Sequence, residues 1–439
     1  MGNQPVRSSE VDARIPLGFR GDILCASGRV VHRYSALAER HLQVRSPLFT
    51  AQGGIAPTAR VSHLNTCELR LRKYEPSTNE IMTLPSRFPL VQAPMVGSLS
   101  PLTIAVSQAG GLGSLACAAL SPAQLREQIG LIRAGTSAPF NVNFFCHVSP
   151  STDEEVEAKW LELFAPYYKE IGLDLSAAQR GPGRAPFDAA TCDVIEETRP
   201  AMVSFHFGLP DERLLARVRN TGAMIVSSAT TVEEAQWLES RGVDAIIAQG
   251  LEAGGHRGMF LTTDINAQPS LFALLPQIVD AVSVPVVAAG AIADGRGIAA
   301  AFALGASAVQ IGTAYLMTPQ AGRSSIHRAA LRAARDDMTR LTNLYTGRPA
   351  RGLTTRFMRE QGPMSAVAPA FPLATGAVDP LRATFEKNGY SDFSLLWAGE
   401  AAALAREEDA GVLTRRLWEE ALKCASGLRL QESVSQRRH

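Results

Sequence analysis

Residues 284–316 read VPVVAAGAIADGRGIAAAFALGASAVQIGTAYL. Two short apolar runs, VPVVAA (284–289) and AVQIG (308–312), flank a Gly- and Ala-rich stretch with helical spacing. Neither run alternates apolar with polar residues, as a half-exposed strand would. That is the pattern of parallel strands covered on both faces. The first run ends in Gly290-Ala291 and the second in Gln310-Ile311-Gly312-Thr313. The stretch is therefore a β-α-β unit whose strands end in small residues.

Upstream, FPLVQ (88–92), LGSLA (112–116), FNVNFF (140–145), MVSFHF (202–207), AMIVSS (223–228) and AIIAQ (245–249) repeat the theme, which makes eight candidate strands. Helical spacing fills the gaps. DERLLARVRNTG (211–222) puts Leu214, Leu215 and Val218 on one face. TVEEAQWLESRG (231–242) opens with Thr231, carries Glu233 and Glu234 in its first turn and stops at Gly242, as a capped helix should. Eight such repeats in about 240 residues predict an α/β fold, a (β/α)₈ TIM barrel. A doubly wound open sheet is the alternative, because periodicity alone does not close a barrel.

Around the barrel, assigned to 82–318, lie four other regions. Residues 146–195 are too long for one βα connection and are expected to form an insertion over the mouth where barrel enzymes bind substrate. Residues 319–424 read as a smaller helical portion packed on the barrel, and 425–439 as a polar tail. Residues 1–81 show no sustained period and are expected to be a poorly ordered extension. Met82 could start a compact enzyme, and Glu10, Asp12 and Asp22 dilute any leader-like basic character. Met1-Gly2 suggests myristoylation, but Val6 stands where that motif needs Ser or Thr.

Composition limits the partners. The 439 residues are 46% hydrophobic and 19% charged, with 43 Lys plus Arg against 42 Asp plus Glu. That balance gives no general attraction to nucleic acid or to an anionic membrane, so any anion site must be local. No long uncharged apolar stretch suggests a membrane span. The six cysteines form no C-x-x-C pair, so neither a disulfide framework nor a metal site is expected. A cytoplasmic monomer or homodimer is the simplest setting.

Chemistry-bearing residues cluster at the strand ends. Ala93, Pro94 and Met95 follow the first strand, and small Ala93 and Gly97 would let backbone approach a flat ring. An ordinary tight turn explains the same residues equally well. Asn141 and Asn143 point to one side of their strand. They bond either a ligand or neighbouring protein groups. His206 lies near the end of the fourth strand between Phe205 and Phe207, as a base at the mouth or as a packed core histidine. AQGLEAGGHRG (248–258) offers Gln249, the amides of Gly250, Gly254, Gly255 and Gly258, and His256 and Arg257 as possible donors. The loops after the last two strands supply backbone N–H groups where TIM barrels hold phosphate.

Taken together, QAPM with AVSQAGGLGSLA, PFNVNFF, VSFHFGLP, AQGLEAGGHRG and VVAAGAIADGRGIAAAFALGASAVQIGTAYL resemble the class I nitronate monooxygenases over about residues 83–410, with LYTGRPARG and LLWAGE included. The resemblance implies one non-covalent FMN and oxidation of an alkyl nitronate by O2 to a carbonyl compound and nitrite. Propionate 3-nitronate is the usual substrate of that family. It further implies that Pro94 and Met95 run along the flavin and that Asn143 and Gln249 contact it. Gly254, Gly255, Gly290, Ala291, Gln310, Ile311, Gly312 and Thr313 would cradle its phosphate and ribityl chain. His206 would be the catalytic base, with substrate beneath Phe205 and Phe207. One departure stands out, since the family has Gly-Gly where this chain has Gly290-Ala291. Ala keeps its amide, but a positive φ there would cost about 1 kcal/mol or more. The rival reading is an NAD(P)H-dependent quinone or enoyl-thioester reductase on the same barrel. A flavin-binding barrel without redox turnover and a structural protein are more distant alternatives.

Overall fold

The computed structural model describes residues 84–178 and 184–427, so residues 1–83, including the whole of the expected extension, lie outside it. The described residues belong to one folded unit, Ser77–His439. Its first half runs β1 (Leu90–Gln92), α1 (Ser100–Gln108), β2 (Gly113–Ala116), α2 (Pro122–Gly135), β3 (Phe140–Phe145), α3 (Glu154–Glu170), α4 (Ala189–Thr198), β4 (Met202–His206), α5 (Glu212–Asn220), β5 (Met224–Ala229), α6 (Val232–Ser240) and β6 (Ala245–Gln249). Then come β7 (Gly255–His256), α7 (Leu271–Ala281), β8 (Val286–Ala289), α8 (Gly295–Ala303), β9 (Ala308–Ile311), α9 (Ser325–Arg332), β10 (Thr339–Thr342), β11 (Ala350–Leu353), α10 (Arg356–Gln361), α11 (Thr375–Lys387) and α12 (Ala410–Gly427).

All eight expected strands form, within two residues of the expected bounds, and pair in parallel in the order β1-β9-β8-β6-β5-β4-β3-β2. The ends of that row meet. Val91 bridges Leu112, and Gln92 N donates to Leu112 O at 2.9 Å while Leu112 N donates to Leu90 O at 2.8 Å. An open sheet has two free edges, so this closure excludes the doubly wound alternative. The local signals act as read: the Thr231 hydroxyl caps α6 by accepting from Glu234 N at 3.2 Å, and Gly242 takes φ 72° beyond its end.

Strand alternation sorts side chains into two layers. Outward residues such as Val203, Phe205, Ile225, Ile246, Val309 and Ile311 pack with helix residues Leu125, Ile129, Leu215, Leu238 and Ile278. Each such buried side chain stabilises the fold by roughly 1.5–3 kcal/mol. Inward residues Val91, Met202, Val226, Ile247, Val287 and Ala308 fill the lower barrel. Higher up the barrel the inward positions turn polar, at Asn143, His206, Ser228, Gln249 and Gln310. That change places the site at the C-terminal mouth.

The remainder departs from an all-helical expectation. β10, β11 and β7 form a three-stranded antiparallel sheet, so GRPARGL is a turn and a buried strand, not helix. Ala350 pairs with His256 and Arg351 with Gly255, which fastens the glycine-rich loop after β6 to this smaller lobe. The insertion helix α3 belongs to the lobe as well. Its Trp160, Phe164 and Tyr167 pack with Tyr345, Phe357, Leu381 and Phe393. Trp160 Nε1 donates to Ala374 O at 3.1 Å, and Tyr168 OH donates to Ala377 O at 2.8 Å. α12 returns to the barrel, so close to α8 that a Cβ on Gly295 would meet the Glu420 backbone at 2.4 Å. It continues through Gly427, so residues 425–427 of the expected tail are its last turn and 428–439 lie outside the described residues. Among the described residues, no helix is long and apolar enough to cross a membrane.

Candidate active site

A cavity opens at the C-terminal mouth between barrel and lobe. Of the residues singled out from sequence, Ala93, Pro94, Met95, Asn143, Phe205, His206, Gln249, Gly254, Gly255, Gly290, Ala291, Gln310, Gly312 and Thr313 line it. Two expected members do not. Ile311 is outward by alternation and buried among the helices. Phe207 sits in a separate aromatic cluster with Phe145 and Phe371. Phe205 borders the cavity, but its ring packs against Phe187 at 5.4 Å and is buried. The neighbouring positions therefore leave His206 between two rings that turn away from the substrate space.

The four amide side chains have different duties. Asn141 lies lower in the barrel, where Nδ2 donates to Ser114 Oγ at 3.1 Å and Ser204 Oγ at 2.9 Å while its buried Oδ1 has no partner among the described residues. Asn143 also donates to Ser204 Oγ at 2.9 Å, and no donor among the described residues reaches its carbonyl oxygen. Gln249 is engaged at both ends: Nε2 donates to His256 O at 3.0 Å and Oε1 accepts from Gly258 N at 2.8 Å. It shapes the glycine-rich loop from the cavity floor. Gln310 Oε1 is buried and has no partner among the described residues. A buried orphan acceptor is costly in an empty protein and marks a place for a ligand donor.

The glycine-rich loop is less of an amide nest than its composition suggested. Gly250 N donates to Ala289 O and Gly258 N to Gln249. Arg257 is fully buried, holding Gln268 Oε1 at 2.7 Å, Gly250 O at 2.8 Å and Gln249 O at 2.9 Å, and is a scaffold residue instead of a ligand donor. Among the described residues nothing accepts from the amides of Gly254, Gly290, Ala291, Gly312 and Thr313. Gly254 is required by close approach, since a Cβ there would meet Gly399 N at 2.5 Å. Ala291 carries φ 50° and Gly290 φ 140°, so the substitution noted in the sequence falls in left-handed backbone and is strained.

His206 is fixed on both sides. Its Nδ1 lies 2.6 Å from Ser228 Oγ and its Nε2 3.2 Å from His256 O. A carbonyl only accepts, so the proton belongs on Nε2 and Ser228 donates to Nδ1. Burial pushes the imidazole pKa down to about 3, with the Arg348 cation adding to the effect. Burial also lowers His147 and His327 to about 4, and His256 well below its usual value. All four are neutral at pH 7.

The titratable residues bordering the cavity are Arg184, His206, His256, Arg323 and His327, and no carboxylate is among them. In a chain whose charges balance, this is a local field of one sign, suited to an anion. Sequence reading missed Arg184, Ser228, Arg323, His327 and Trp397. Ser228 was within reach, being inward on a recognised strand. The others come from the insertion and the lobe, whose placement no local pattern reveals. Arg323 braces the loop after β1, donating to Val96 O at 3.0 Å and Ser98 Oγ at 3.1 Å.

An eight-stranded parallel barrel with polar strand ends facing a basic cavity defines a TIM-barrel enzyme of the kind that holds a phosphate-bearing cofactor. The profile of the nitronate monooxygenase family matches residues 79–420. A nitronate monooxygenase of Pseudomonas aeruginosa is 41% identical over 76% of this chain and 95% of its own. One from Paraburkholderia phytofirmans is 39% identical over 78% and 94%. Among solved structures, nitroalkane oxidase from Streptomyces ansochromogenes superposes with TM-score 0.73 at 38% identity, covering 79% of this chain and all of that one. FabK from Thermotoga maritima shares the fold at 27% identity and TM-score 0.60, covering 78% of this chain and 95% of its own. The chain belongs to the nitronate monooxygenase family.

Proposed function

We propose that this enzyme binds FMN and uses O2 to oxidise alkyl nitronates to carbonyl compounds and nitrite, with propionate 3-nitronate as a substrate. The observation that carries the reading is the cavity itself, a basic, carboxylate-free space with free backbone amides beyond β8 and β9. The residues present fit the cofactor. Gly254, Ala291, Gly312 and Thr313 would hold its phosphate, Gln310 Oε1 and the Asn143 carbonyl oxygen would meet donors on it, and Pro94 and Met95 would lie along its rings. Bound FMN supplies the one-electron chemistry that a nitronate requires.

His206 has two expected duties, as base toward a neutral nitroalkane and as anchor for the anion. Its environment favours the second. A neutral imidazole with Nε2–H can donate to a nitronate oxygen, and the long 3.2 Å contact to His256 O leaves that proton weakly held. Nδ1, the basic nitrogen, already receives the Ser228 hydroxyl. The preformed nitronate is therefore the better substrate at neutral pH.

The test is nitrite release from propionate 3-nitronate in air by the FMN-loaded protein. Stoichiometric nitrite supports the reading, and none overturns it. Anaerobic bleaching of the flavin by the nitronate but not by NADH supports the oxidase, whereas rapid bleaching by NADH alone would establish the reductase.

A further inference from the structure

The chain takes an unusual path beside His206. Phe207 has φ 70°, in the left-handed region, and is followed by Gly208 at 87°. A bulky residue stays there only if its surroundings over-determine it. The Arg348 guanidinium lies 4.0 Å from the Phe207 ring centroid, flat-face contact that combines cation–π and dispersion attraction. The Nη2 of the same guanidinium donates to Met259 O. Met259 follows Gly258, which lies directly against the His206 ring. Arg348 thus links the two backbone segments on either side of the imidazole, 207 on one and 258–259 on the other. Phe145 at 4.8 Å and Phe371 at 5.6 Å pack around the Phe207 ring.

We propose that Arg348 is a positioning residue for the reaction. It clamps Phe207 in left-handed backbone against the 258–259 segment and so aims the His206 ring, in its Nε2–H form, into the cavity.

The charges around His206 support this. Arg348 comes from the segment before β11, Arg257 and His256 from the β6–β7 region, and His147, backed by Arg184, from the insertion. Ser228 faces it from β5. The carboxylates that answer these cations are Glu234, which acts on Arg348 and Arg257, Glu252, which acts on Arg257, and Asp379, which acts on Arg184. Removing Arg348 takes away the foremost cation opposing protonation of the ring as well as the clamp.

The experiment compares wild type, Arg348→Met and Arg348→Lys as FMN-loaded full chains. Its kinetic arm rests on the nitronate reading, and its NMR arm does not. The imidazole nitrogen shifts of His206, assigned with His206→Asn, report tautomer and titration directly. In wild type we expect a fixed Nε2–H tautomer that does not titrate above pH 5. In Arg348→Met the ring should sample both tautomers and titrate at higher pH. kcat on the preformed nitronate should fall by about 10-fold while KM changes by less than about two-fold. Arg348→Lys keeps the cation but not the flat stacking, so the ring should stay untitrated while kcat still falls. If Arg348→Met does not fold, the Lys variant decides. Lower thermal stability with His206 shifts and kcat at wild-type values overturns the proposal, and so does a change confined to KM. If wild type releases no nitrite while Arg348→Met shows the expected NMR changes, the nitronate reading is refuted and the clamp stands.

Discussion

The imidazole of His206 rests against the backbone of Gly258: a Cβ at position 258 would stand 2.8 Å from His206 Cε1 and 2.8 Å from Ser228 Oγ. No side chain fits between strand end and loop. Gly258→Ala must push the ring out of its contact with Ser228 or displace the loop that Gln249 holds. We expect kcat/KM on the nitronate to fall by about 10²-fold, as displacements near 1 Å do. Steady-state kinetics, with circular dichroism to confirm the fold, check this; an unchanged kcat/KM would remove His206 from the site.

His206→Asn separates the two duties of that residue. Activity on neutral nitroalkanes is expected to drop by roughly 10²–10⁴. Activity on the preformed nitronate should survive better, because an Asn amide still donates a hydrogen bond. Equal losses on both substrates would assign His206 to binding alone.

Ala291 holds its free amide at φ 50°. Glycine adopts that conformation without the Cβ clash, so Ala291→Gly should raise unfolding stability by about 0.5–1 kcal/mol after its extra unfolded-state entropy is counted. FMN affinity should be preserved, since only the backbone N–H is used. Urea unfolding and flavin fluorescence titration test the two statements separately.

Acid should destabilise the flavin-free protein early. Burial lowers His147 and His327 from 6.5 to about 4 and His206 to about 3, with His256 also well below 6.5. These folded-state values are depressed, so between pH 6.5 and about 4 the unfolded chain binds more protons than the native one. Stability is therefore full above pH 6.5 and declines as pH falls through that window, with a slope of up to about 1.4 kcal/mol per pH unit for each imidazole. Urea midpoints from pH 7.5 to 5 measure it. A flat profile would contradict four neutral buried imidazoles. His327→Gln should reduce the slope.

The barrel was legible because each of its strands is covered on both faces, and continuous burial writes itself as an apolar run. The polar inward layer was legible too, since a period of two assigns Asn143, His206, Gln249 and Gln310 to one side. The lobe was not. Its strand Ala350–Leu353 is ARGL, whose Arg351 is buried only because Glu400 sits 3.1 Å away and Leu251 O accepts from Nε at 3.0 Å. No local rule expects a buried arginine in a strand. α3 falls in the segment read as an insertion, but its partners lie some two hundred residues later, at Ala374 and Ala377.

The order of side chains along the strands, by itself, determined eight parallel strands with their chemistry at one end, because local burial and alternation are properties of neighbouring residues; closure into a barrel was decided by the pairing of β1 with β2. Only the tertiary structure decided what those rim residues are chemically. His206 is neutral because distant segments bury it and bring Arg348 near. Ala291 and Phe207 are strained because packing over-determines their backbone, and Gln310 is an orphan because none of the described residues reaches it. Desolvation, through-space charge and steric confinement depend on which remote segments meet, and that information is not carried by any short stretch of chain.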